Sequence, residues 1–480
     1  MNLDTSPYGD SDREKELVTY FEQLMKDGAP CCFDEDEYLT LFDHYVDSDD
    51  VSPCEVVLKW ADQQYPGSIA ITDCHARLLA AKGDYAGAEA IIDQALQIDS
   101  KDIDLLLTKG KLLLVRRKNE EADEIFKSLY NNEYDDPFLY GTLVDVGNSY
   151  GQVGMKDKAI KIYERAIKLT NENEEASFEL ALLYADQPDK LERAAELLEK
   201  VLDRNPYSTQ TWLAIGGVYS DLQKYGKAVE AFDYAYTIDP QCYKALYLKG
   251  HSLMNCNQYK EALEAFEEYS DLKGEDTELC LSIGECYEAL GHLGTADEKY
   301  RHAVYLDDNN VSAMIHLAML HTEDDADDAL RWILYAKDHD KENSEIWHLV
   351  GDIQCKAATQ IPGKIHKEDH IAWAEKAYKK AIQLDPQNPL PMVSLGILYY
   401  DEGDYDSALY YLEQAYRLSA QVDELKLFLA LTYYQLKDKE QAKKFLKMAL
   451  ENNPEAWNTF TSFCPKANDD PYLSEFKGDK

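Results

Sequence analysis

The sequence predicts an all-α protein, an α-solenoid in which one helix–turn–helix unit recurs along the chain. The first observation is an alanine that returns every 33 to 37 residues, with a single step of 45. The second is another small residue, glycine or alanine, 12 positions before most of these alanines. The third is helical spacing of the apolar residues, with no segment that alternates like a strand. A period near 34 residues is typical of stacked helix pairs rather than of three globular domains.

The two small-residue series mark places where the helices of a unit must approach closely. The alanine series consists of Ala88, Ala122, Ala159, Ala194, Ala228, Ala262, Ala296, Ala329, Ala374, Ala408 and Ala442. The upstream series consists of Ala76, Gly110, Gly147, Gly216, Gly250, Gly284, Gly396 and Ala430. Because the distance between packed helices depends on the side chains at the contact, we expect both series to be buried beside large apolar residues.

Residues 209–240 show the unit most clearly. The stripe of a first helix, at i, i+3, i+4 and i+7, is formed by Trp212, Ile215, Gly216 and Tyr219. The stripe of a second helix is formed by Ala228, Phe232 and Ala235, and Pro240 ends the unit. This pattern resembles the tetratricopeptide repeat. The resemblance implies a right-handed superhelical α-solenoid of about twelve repeats.

We predict twelve repeats between residues 35 and 456, flanked by caps. Residues 1–34 are expected to form an acidic N-terminus with a capping helix over 13–26. Residues 457–480 are expected to form a short capping helix and a mobile tail. Caps are needed because the end faces of a solenoid have no neighbouring repeat.

The 45-residue step predicts an insertion of 11 residues in unit ten, about 344–388. We expect a loop or a helix extension near 357–367, and long loops on compact scaffolds often carry function. His366 and His370 are four residues apart and could share one helix face in a metal site. Further ligands are not evident in the segment, so we predict no metal site there.

The composition points to protein partners. With 91 acidic and 49 basic residues, the formal net charge is −42. Such a surface repels nucleic acids and anionic membranes and favours partners with basic segments. The first 60 residues hold 16 acidic and 4 basic side chains, which predicts either a solvated acidic end or a docking surface for a basic segment. The N-terminus lacks a secretory signal and no segment is apolar enough for a membrane helix, so we expect a cytoplasmic protein.

Catalytic motifs are absent from the sequence. It contains no phosphate-binding loop, nucleophile elbow, zinc-protease motif or dinucleotide-binding glycine pattern. The Asp-rich segment 322–330 lacks the spacing of a calcium loop and is interpreted as the acidic start of a helix. We therefore predict a protein that is not an enzyme, without catalytic residues, cofactor or metal.

The resemblance also implies where a partner binds. In that family the first helices line a concave groove, and positions 2, 5, 9 and 12 of each repeat face the ligand. By position, the predicted partner-binding residues are Arg77, Lys111, Asn148, Tyr247, His251, Val393, Ile397, Tyr400, Leu427, Leu431 and Tyr434. Val144 stands four residues before Asn148, where the family's clamp for a C-terminal carboxylate has lysine. This departure disfavours an adaptor for chaperone tails.

The last six of these residues predict an apolar end of the groove. Exposed apolar side chains in a groove are typical of a site for a peptide or a helix. The alternative is that the chain's own C-terminal segment packs there. The sequence thus predicts a non-enzymatic scaffold or adaptor that binds a peptide or helix of a partner protein, with basic or apolar segments. The alternative function is a non-catalytic regulatory subunit that positions a separate enzyme in a complex.

Overall fold

The computed structural model describes residues 10–27, 32–47, 51–131, 139–169, 174–360, 364–421 and 424–476. The chain divides into two compact units, Met1–Cys242 and Tyr243–Lys480. In these residues both units consist of helices and contain no strand. The prediction of an all-α protein is confirmed.

The N-terminal unit has thirteen α-helices in its described residues. They are α1 (Asp10–Asp27), α2 (Glu35–Asp47), α3 (Val51–Gln64), α4 (Ile69–Ala81), α5 (Tyr85–Ile98), α6 (Ile103–Val115), α7 (Asn119–Tyr130), α8 (Leu139–Gln152), α9 (Lys156–Leu169), α10 (Glu174–Ala185), α11 (Leu191–Arg204), α12 (Thr209–Asp221) and α13 (Tyr225–Ile238). A short 3₁₀ helix, Pro188–Lys190, precedes α11. After α1 the helices contact one another in successive pairs, from α2 with α3 to α12 with α13.

The C-terminal unit repeats this arrangement. Its helices are α14 (Tyr243–Asn255), α15 (Tyr259–Lys273), α16 (Thr277–Ala289), α17 (Leu293–Leu306), α18 (Val311–His321), α19 (Ala326–His339), α20 (Ser344–Gln360), α21 (Lys364–Leu384), α22 (Leu390–Asp401), α23 (Tyr405–Leu418), α24 (Leu425–Gln435), α25 (Lys439–Asn452) and α26 (Ala456–Phe463). Pairs run from α14 with α15 to α24 with α25. Each unit is therefore an α-solenoid of helix pairs, as the sequence predicts.

The turn inside many pairs reverses through one residue with left-handed backbone. These residues are Gly83, Arg117, Gly154, Gln223, Asn257, Gly291, Gly403 and Lys437, with φ between 58° and 82°. Glycine adopts this conformation without a steric cost, which explains its use at four of the eight turns. The turn lets each second helix return along its first helix.

Each pair is held by close approach at the small residues. An added Cβ on the glycines of the upstream series, and on Gly351 of unit ten, would lie 2.3 to 2.6 Å from a neighbouring side-chain carbon. The pairs are Gly110 with Phe126, Gly147 with Tyr163, Gly216 with Phe232, Gly250 with Phe266, Gly284 with Tyr300, Gly351 with Tyr378 and Gly396 with Leu412. The alanines of the other series are fully buried. The expectation of buried small residues beside large ones is confirmed.

The insertion in unit ten lengthens two helices. Helix α20 has 17 residues and α21 has 21, whereas α12 and α13 have 13 and 14. The extra residues thus continue both helices, so that the helix extension is found and not the long inserted loop, which was the other expectation for this unit. In a helix, the backbone N–H and C=O groups of the added residues bond to one another. In a loop, these groups would have to bond to solvent. Residues 361–363 lie outside the described part of the chain.

Residues 464–476, most of which lie in the predicted mobile tail, pack against the C-terminal unit. After α26 the chain forms two 3₁₀ helices, Pro465–Asp469 and Pro471–Phe476. Ala467 and Leu473 are fully buried in the core of the C-terminal unit. Lys439 Nζ lies 2.6 Å from Asp470 Oδ2, so an ion pair also fixes the segment. The sequence alone did not indicate that these two apolar side chains reach the core.

Helix α1 packs onto the first pair. Phe21 is fully buried, and its ring lies 5.8 Å from Tyr45 and 5.4 Å from Trp60 between centroids. This helix covers apolar side chains that would otherwise face solvent at the start of the solenoid. None of the helices in the described ranges combines the length and the apolar character needed to cross a bilayer.

Candidate partner-binding surfaces

The first helices of the N-terminal unit are linked through the predicted groove residues. Arg77 of α4 places Nη1 2.8 Å from Asp43 Oδ1 of α2, and its guanidinium lies over the Phe42 ring, 5.1 Å from the centroid. Asp73 of α4 is hydrogen-bonded to Thr108 of α6. Arg77, at position 9 of the second repeat, thus contacts the first repeat. Asp73, at position 5, contacts the third repeat.

Lys111 and Asn148 continue this series. Lys111 Nζ of α6 lies 3.8 Å from Asp145 Oδ1 of α8. Asn148 of α8 donates from Nδ2 to Glu175 Oε1 of α10 at 3.3 Å and accepts a hydrogen bond from the Tyr163 hydroxyl. Five first helices, α2, α4, α6, α8 and α10, are therefore joined in order by side chains. We call this surface the N-terminal first-helix face.

Carboxylates on this face are poorly neutralised. Burial raises the pKa of Asp73 to about 6, although Thr108 and Arg77 act in the opposite direction. Asp73 is 7% exposed, and its Oδ1 has no hydrogen-bond partner among the described residues. Burial and the neighbouring Asp102 and Asp145 raise the pKa of Asp104. The face therefore offers negative charge that a basic partner segment would neutralise.

Asp73→Asn is expected to change the pH dependence of stability. The carboxyl has a pKa of 3.8 when free and about 6 when folded, so its protonated form favours folding. That contribution is complete below about pH 4 and is lost as the pH rises through about 6. Asparagine resembles the protonated carboxyl and does not ionise. The free energy of unfolding of the variant should therefore increase relative to that of the wild type as the pH rises between these two values. Urea unfolding followed by circular dichroism measures the difference, and an equal difference at pH 4 and pH 7 would contradict the assignment.

In the C-terminal unit, Tyr247 and His251 of α14 form one aromatic cluster. Their ring centroids are 4.5 Å apart, and Phe266 of α15 lies 5.3 Å from His251. The Tyr247 hydroxyl donates to Glu278 Oε2 of α16 at 3.4 Å. Burial lowers the pKa of His251. Beside the cluster is an open pocket lined by His251, Met254, Asn255, Tyr259, Glu285 and Ala289.

Two further histidines connect first helices and were missed by the sequence analysis. His316 of α18 lies with Nδ1 3.2 Å from Glu288 Oε2 of α16, and hydrogen bonding to Glu285 raises its pKa. His348 of α20 lies with Nε2 2.9 Å from Ser394 Oγ of α22. His348 occupies position 5 of unit ten, so the positional rule applied to that repeat would have found it. His316 does not occupy one of the four positions named by the rule, so the rule would not have found it.

The six predicted residues of units eleven and twelve belong to one apolar cluster with the C-terminal segment. Val393, Tyr400 and Leu431 are buried there, and Ile397, Leu427 and Tyr434 pack against it. The Tyr400 hydroxyl lies 3.7 Å from Cys464 Sγ, and the Tyr434 ring lies 5.6 Å from that of Phe460. The chain's own C-terminal segment therefore contacts Tyr400 and Tyr434 of this set, as in one of the two alternatives left open by the sequence.

The lengthened helices of unit ten create a pocket of 290 Å³ between α20, α21 and α22. Its lining residues are Asp352, Cys355, Ala358, Thr359, Lys367, Ile371, Tyr378, Ser394, Ile397, Leu398, Asp401 and Glu402. Three carboxylates thus face one lysine and several apolar side chains. We call this cavity the unit-ten pocket.

The acidic groups of the unit-ten pocket lack a strong counter-charge. Burial raises the pKa of Asp352, against the opposing effect of His348 and of hydrogen bonds from Tyr378 and Ser394. Burial and the adjacent Glu402 raise the pKa of Asp401. Sequence analysis had singled out Ile397 and the insertion separately. It could not place them together, because the pocket exists only where the extended helices meet α22.

The segments considered as metal sites have other roles. His370 Nδ1 lies 2.6 Å from Gln354 Oε1, while the side chain of His366 lies outside the described residues. In the Asp-rich segment 322–330, the Asp325 side chain accepts a hydrogen bond from the backbone N–H of Asp328. Asp325 is therefore the N-cap of α19, which agrees with an acidic helix start.

Comparison with known proteins identifies the repeat. Models described as tetratricopeptide repeat match residues 79–144, 145–209, 189–242, 243–276, 277–310 and 399–460. These segments together cover more than half of the chain.

Three similar proteins illustrate the relationship. The chain is 23% identical over 210 residues to protein bimA of Emericella nidulans, which is 44% of this chain and 25% of that protein. It is 23% identical over 336 residues to BBSome complex member BBS4 of Bos taurus, 70% of this chain and 55% of that protein. It is 22% identical over 218 residues to anaphase-promoting complex subunit 3 of Schizosaccharomyces pombe, 45% of this chain and 32% of that protein. The chain thus spans between a quarter and about half of the length of these relatives.

Proposed function

The chain belongs to the tetratricopeptide repeat family, and from this premise we propose that it is a non-enzymatic scaffold or adaptor for protein–protein interaction. It binds a peptide or a helix of a partner protein along its first helices. The observation that supports the proposal is that side chains at the predicted groove positions link the first helices α2 and α4, α6 and α8, and α8 and α10. We place this activity in the cytoplasm.

Two surfaces support a partner with basic segments. On the N-terminal first-helix face, burial raises the pKa of Asp73 and of Asp104 more than the nearby Arg77 and Lys111 lower it. In the unit-ten pocket, Asp352, Asp401 and Glu402 outnumber Lys367, and apolar side chains surround them. A lysine or arginine side chain has a charged end for the carboxylates and an apolar stem for the walls. The net charge of −42 favours the same partners and disfavours nucleic acids and membrane surfaces.

The proposed contact residues differ in their accessibility. Five of them lie on first helices and do not belong to the apolar cluster of the C-terminal segment, namely Arg77, Lys111, Asn148, Tyr247 and His251. Ile397 lines the unit-ten pocket. At the C-terminal end, a partner would reach Tyr400 and Leu431 only after the C-terminal segment moves, because both are buried in its cluster. The remaining proposed contacts, Val393, Leu427 and Tyr434, belong to the same apolar cluster.

A second function is favoured by the relatives. BBS4 is named as a member of the BBSome complex, and another relative is named as a subunit of the anaphase-promoting complex. By analogy, this chain would be a non-catalytic regulatory subunit that positions a separate enzyme. The two functions predict different partners, since an adaptor captures varied peptides whereas a subunit co-purifies with one enzyme in fixed proportion.

Affinity capture tests the proposal. The full-length chain is immobilised, exposed to native lysate at low and at moderate salt, and the retained proteins are identified. We expect partners with basic segments whose binding weakens as salt rises, because charge complementarity is screened. Retention that is unaffected by salt would contradict the basic-segment proposal. Retention of a single enzyme in fixed proportion, without varied peptides, would favour the regulatory subunit over the adaptor.

A matched pair of charge reversals locates the site. Glu402→Lys changes the unit-ten pocket, whereas Glu230→Lys makes the same change on the exposed surface of the second helix α13. Glu402→Lys is expected to weaken capture by roughly tenfold, equivalent to about 1.4 kcal/mol. Equal effects of the two variants would show that general charge, and not the pocket, determines binding.

A further inference from the structure

Three side chains of different chemistry converge at the N-terminal end of α16. Glu275 precedes this helix, Cys280 lies in its first turn, and His302 comes from α17. Cys280 Sγ lies 3.5 Å from Glu275 Oε2, and His302 Nε2 lies 3.5 Å from the same oxygen. The sulfur, nitrogen and oxygen atoms all lie within 4.8 Å of one another. None of these three residues is among the proposed partner contacts.

The distances suit a tetrahedral metal ion. Zinc binds sulfur at about 2.3 Å and nitrogen or oxygen at about 2.0–2.1 Å. Tetrahedral angles then place sulfur and oxygen about 3.5 Å apart, and nitrogen and oxygen about 3.3 Å apart. The observed separations of 3.5 Å and 3.5 Å are close to both values. The remaining sulfur–nitrogen edge, at most 4.8 Å, needs a side-chain shift of at most about 1.2 Å to reach the corresponding separation of about 3.6 Å.

We propose that Glu275, Cys280 and His302 form a zinc-binding site. A thiolate, an imidazole and a carboxylate are the three ligand types that zinc uses in proteins, and three protein ligands leave a fourth position for water. Calcium and magnesium prefer sets of oxygen ligands and are disfavoured by the sulfur and nitrogen.

The surroundings prepare this group for a cation. Lys299 Nζ lies 2.6 Å from Glu275 Oε1, which orients the carboxylate so that Oε2 faces the other two ligands. Cys280 is fully buried, whereas the side chains of Glu275 and His302 are 30% and 43% exposed. The sulfur–metal bond would thus be shielded, and the ion could enter past the exposed ligands. The positive charge of Lys299 opposes binding, and the adjacent Asp276 partly offsets it.

Binding exchanges a proton for the metal ion. The Cys280 thiol loses its S–H proton to solvent and its sulfur forms the bond to zinc. His302 binds through Nε2 and keeps its proton on Nδ1, while Glu275 binds as the carboxylate it already is. No oxidation or reduction takes place, and one proton is released for each zinc ion bound to neutral His302.

Cobalt substitution in the full-length protein tests the site. Metal-free protein is titrated with Co²⁺, whose bond to a thiolate gives a charge-transfer absorption in the near ultraviolet, and Zn²⁺ is then added to displace it. We expect one equivalent of Co²⁺ with this absorption and its loss on addition of Zn²⁺. No thiolate absorption in the wild type would overturn the proposal, as would binding without it, because that would mark adventitious binding to the acidic surface.

Variants assign the ligands. Cys280→Ser should abolish the thiolate absorption, and His302→Gln should weaken Zn²⁺ binding by roughly 100-fold. Cys286→Ser is the matched control, since Cys286 is equally buried in the same helix. Its substitution should leave both measurements unchanged. If Cys280→Ser does not fold, Glu275→Gln and His302→Gln at the exposed ligands decide the question, and wild-type affinity in both would overturn the proposal.

Discussion

Phe460→Ala is expected to destabilise the C-terminal repeats by about 3–5 kcal/mol. Phe460 is fully buried, and its ring packs 5.6 Å from Tyr434 and 6.2 Å from Trp457. Removal of the ring leaves a cavity in the cluster that joins α26 to the last two pairs. Hydrogen exchange should increase in α22 to α26, because repeats of a solenoid interact mainly with their neighbours.

Phe463→Ala is the matched control for this substitution. Phe463 lies three residues later on the same helix but is 45% exposed. Its loss should cost clearly less stability, since less apolar surface is removed from the interior. Equal effects of the two variants, or loss of protection throughout the N-terminal unit, would contradict the local role assigned to Phe460.

The same variant tests the predicted apolar site. A loosened C-terminal segment would expose Tyr400 and Leu431, which are 6% and 0% exposed in the intact protein. If these residues bind a partner, Phe460→Ala should increase the capture of apolar peptides although it lowers stability. Unchanged capture by a variant whose segment is shown to be released would leave them with a structural role alone.

Gly216→Ala is expected to lower the free energy of unfolding by about 1–3 kcal/mol. The added Cβ would lie 2.5 Å from Phe232 Cε1, and the Phe232 side chain is 1% exposed, so a shift of the ring would disturb its packed neighbours. The substitution would therefore force α12 and α13 apart. Hydrogen exchange of both helices measures the local effect, and urea unfolding measures the total.

Gly217→Ala provides the control one residue away. No atom lies within 4 Å of a Cβ added at Gly217, so only the helix propensity changes. Alanine in a helix is more favourable than glycine by about 1 kcal/mol, and the variant should be as stable as the wild type or more so. Destabilisation of both variants to the same extent would show that the close contact with Phe232 is not the cause.

The repeat architecture could be predicted from the sequence because it depends on short-range patterns. Helical spacing identifies each helix, and the small residues at Gly216 and Ala228 identify the faces on which the two helices of a pair meet. Both features repeat every 34 residues or so, which makes the pattern recognisable even where one copy departs from it. The insertion was equally visible as one long step in the alanine series.

The candidate sites could be predicted only in part. Arg77, Lys111 and Asn148 follow from their positions in the repeat, and each contacts the first helix of a neighbouring pair. Position alone did not reveal that Tyr400 is buried, because Phe463 and Cys464, which contact it, lie 63 and 64 positions later in the chain. The apolar side chains of the C-terminal segment, such as Leu473, do not belong to a repeat, so no pattern predicts where they pack.

The sequence by itself determined the family, the all-α class and the pairing of helices, since these result from contacts between residues close together in the chain. Only the tertiary structure decided whether the inserted residues form a loop or longer helices, and that the C-terminal segment covers the last groove positions. It also decided which carboxylates are buried beside one another, as in the unit-ten pocket. The meeting of Glu275, Cys280 and His302 belongs to the same class, because the packing of α17 against α16 brings His302 to two ligands that lie 27 and 22 positions before it.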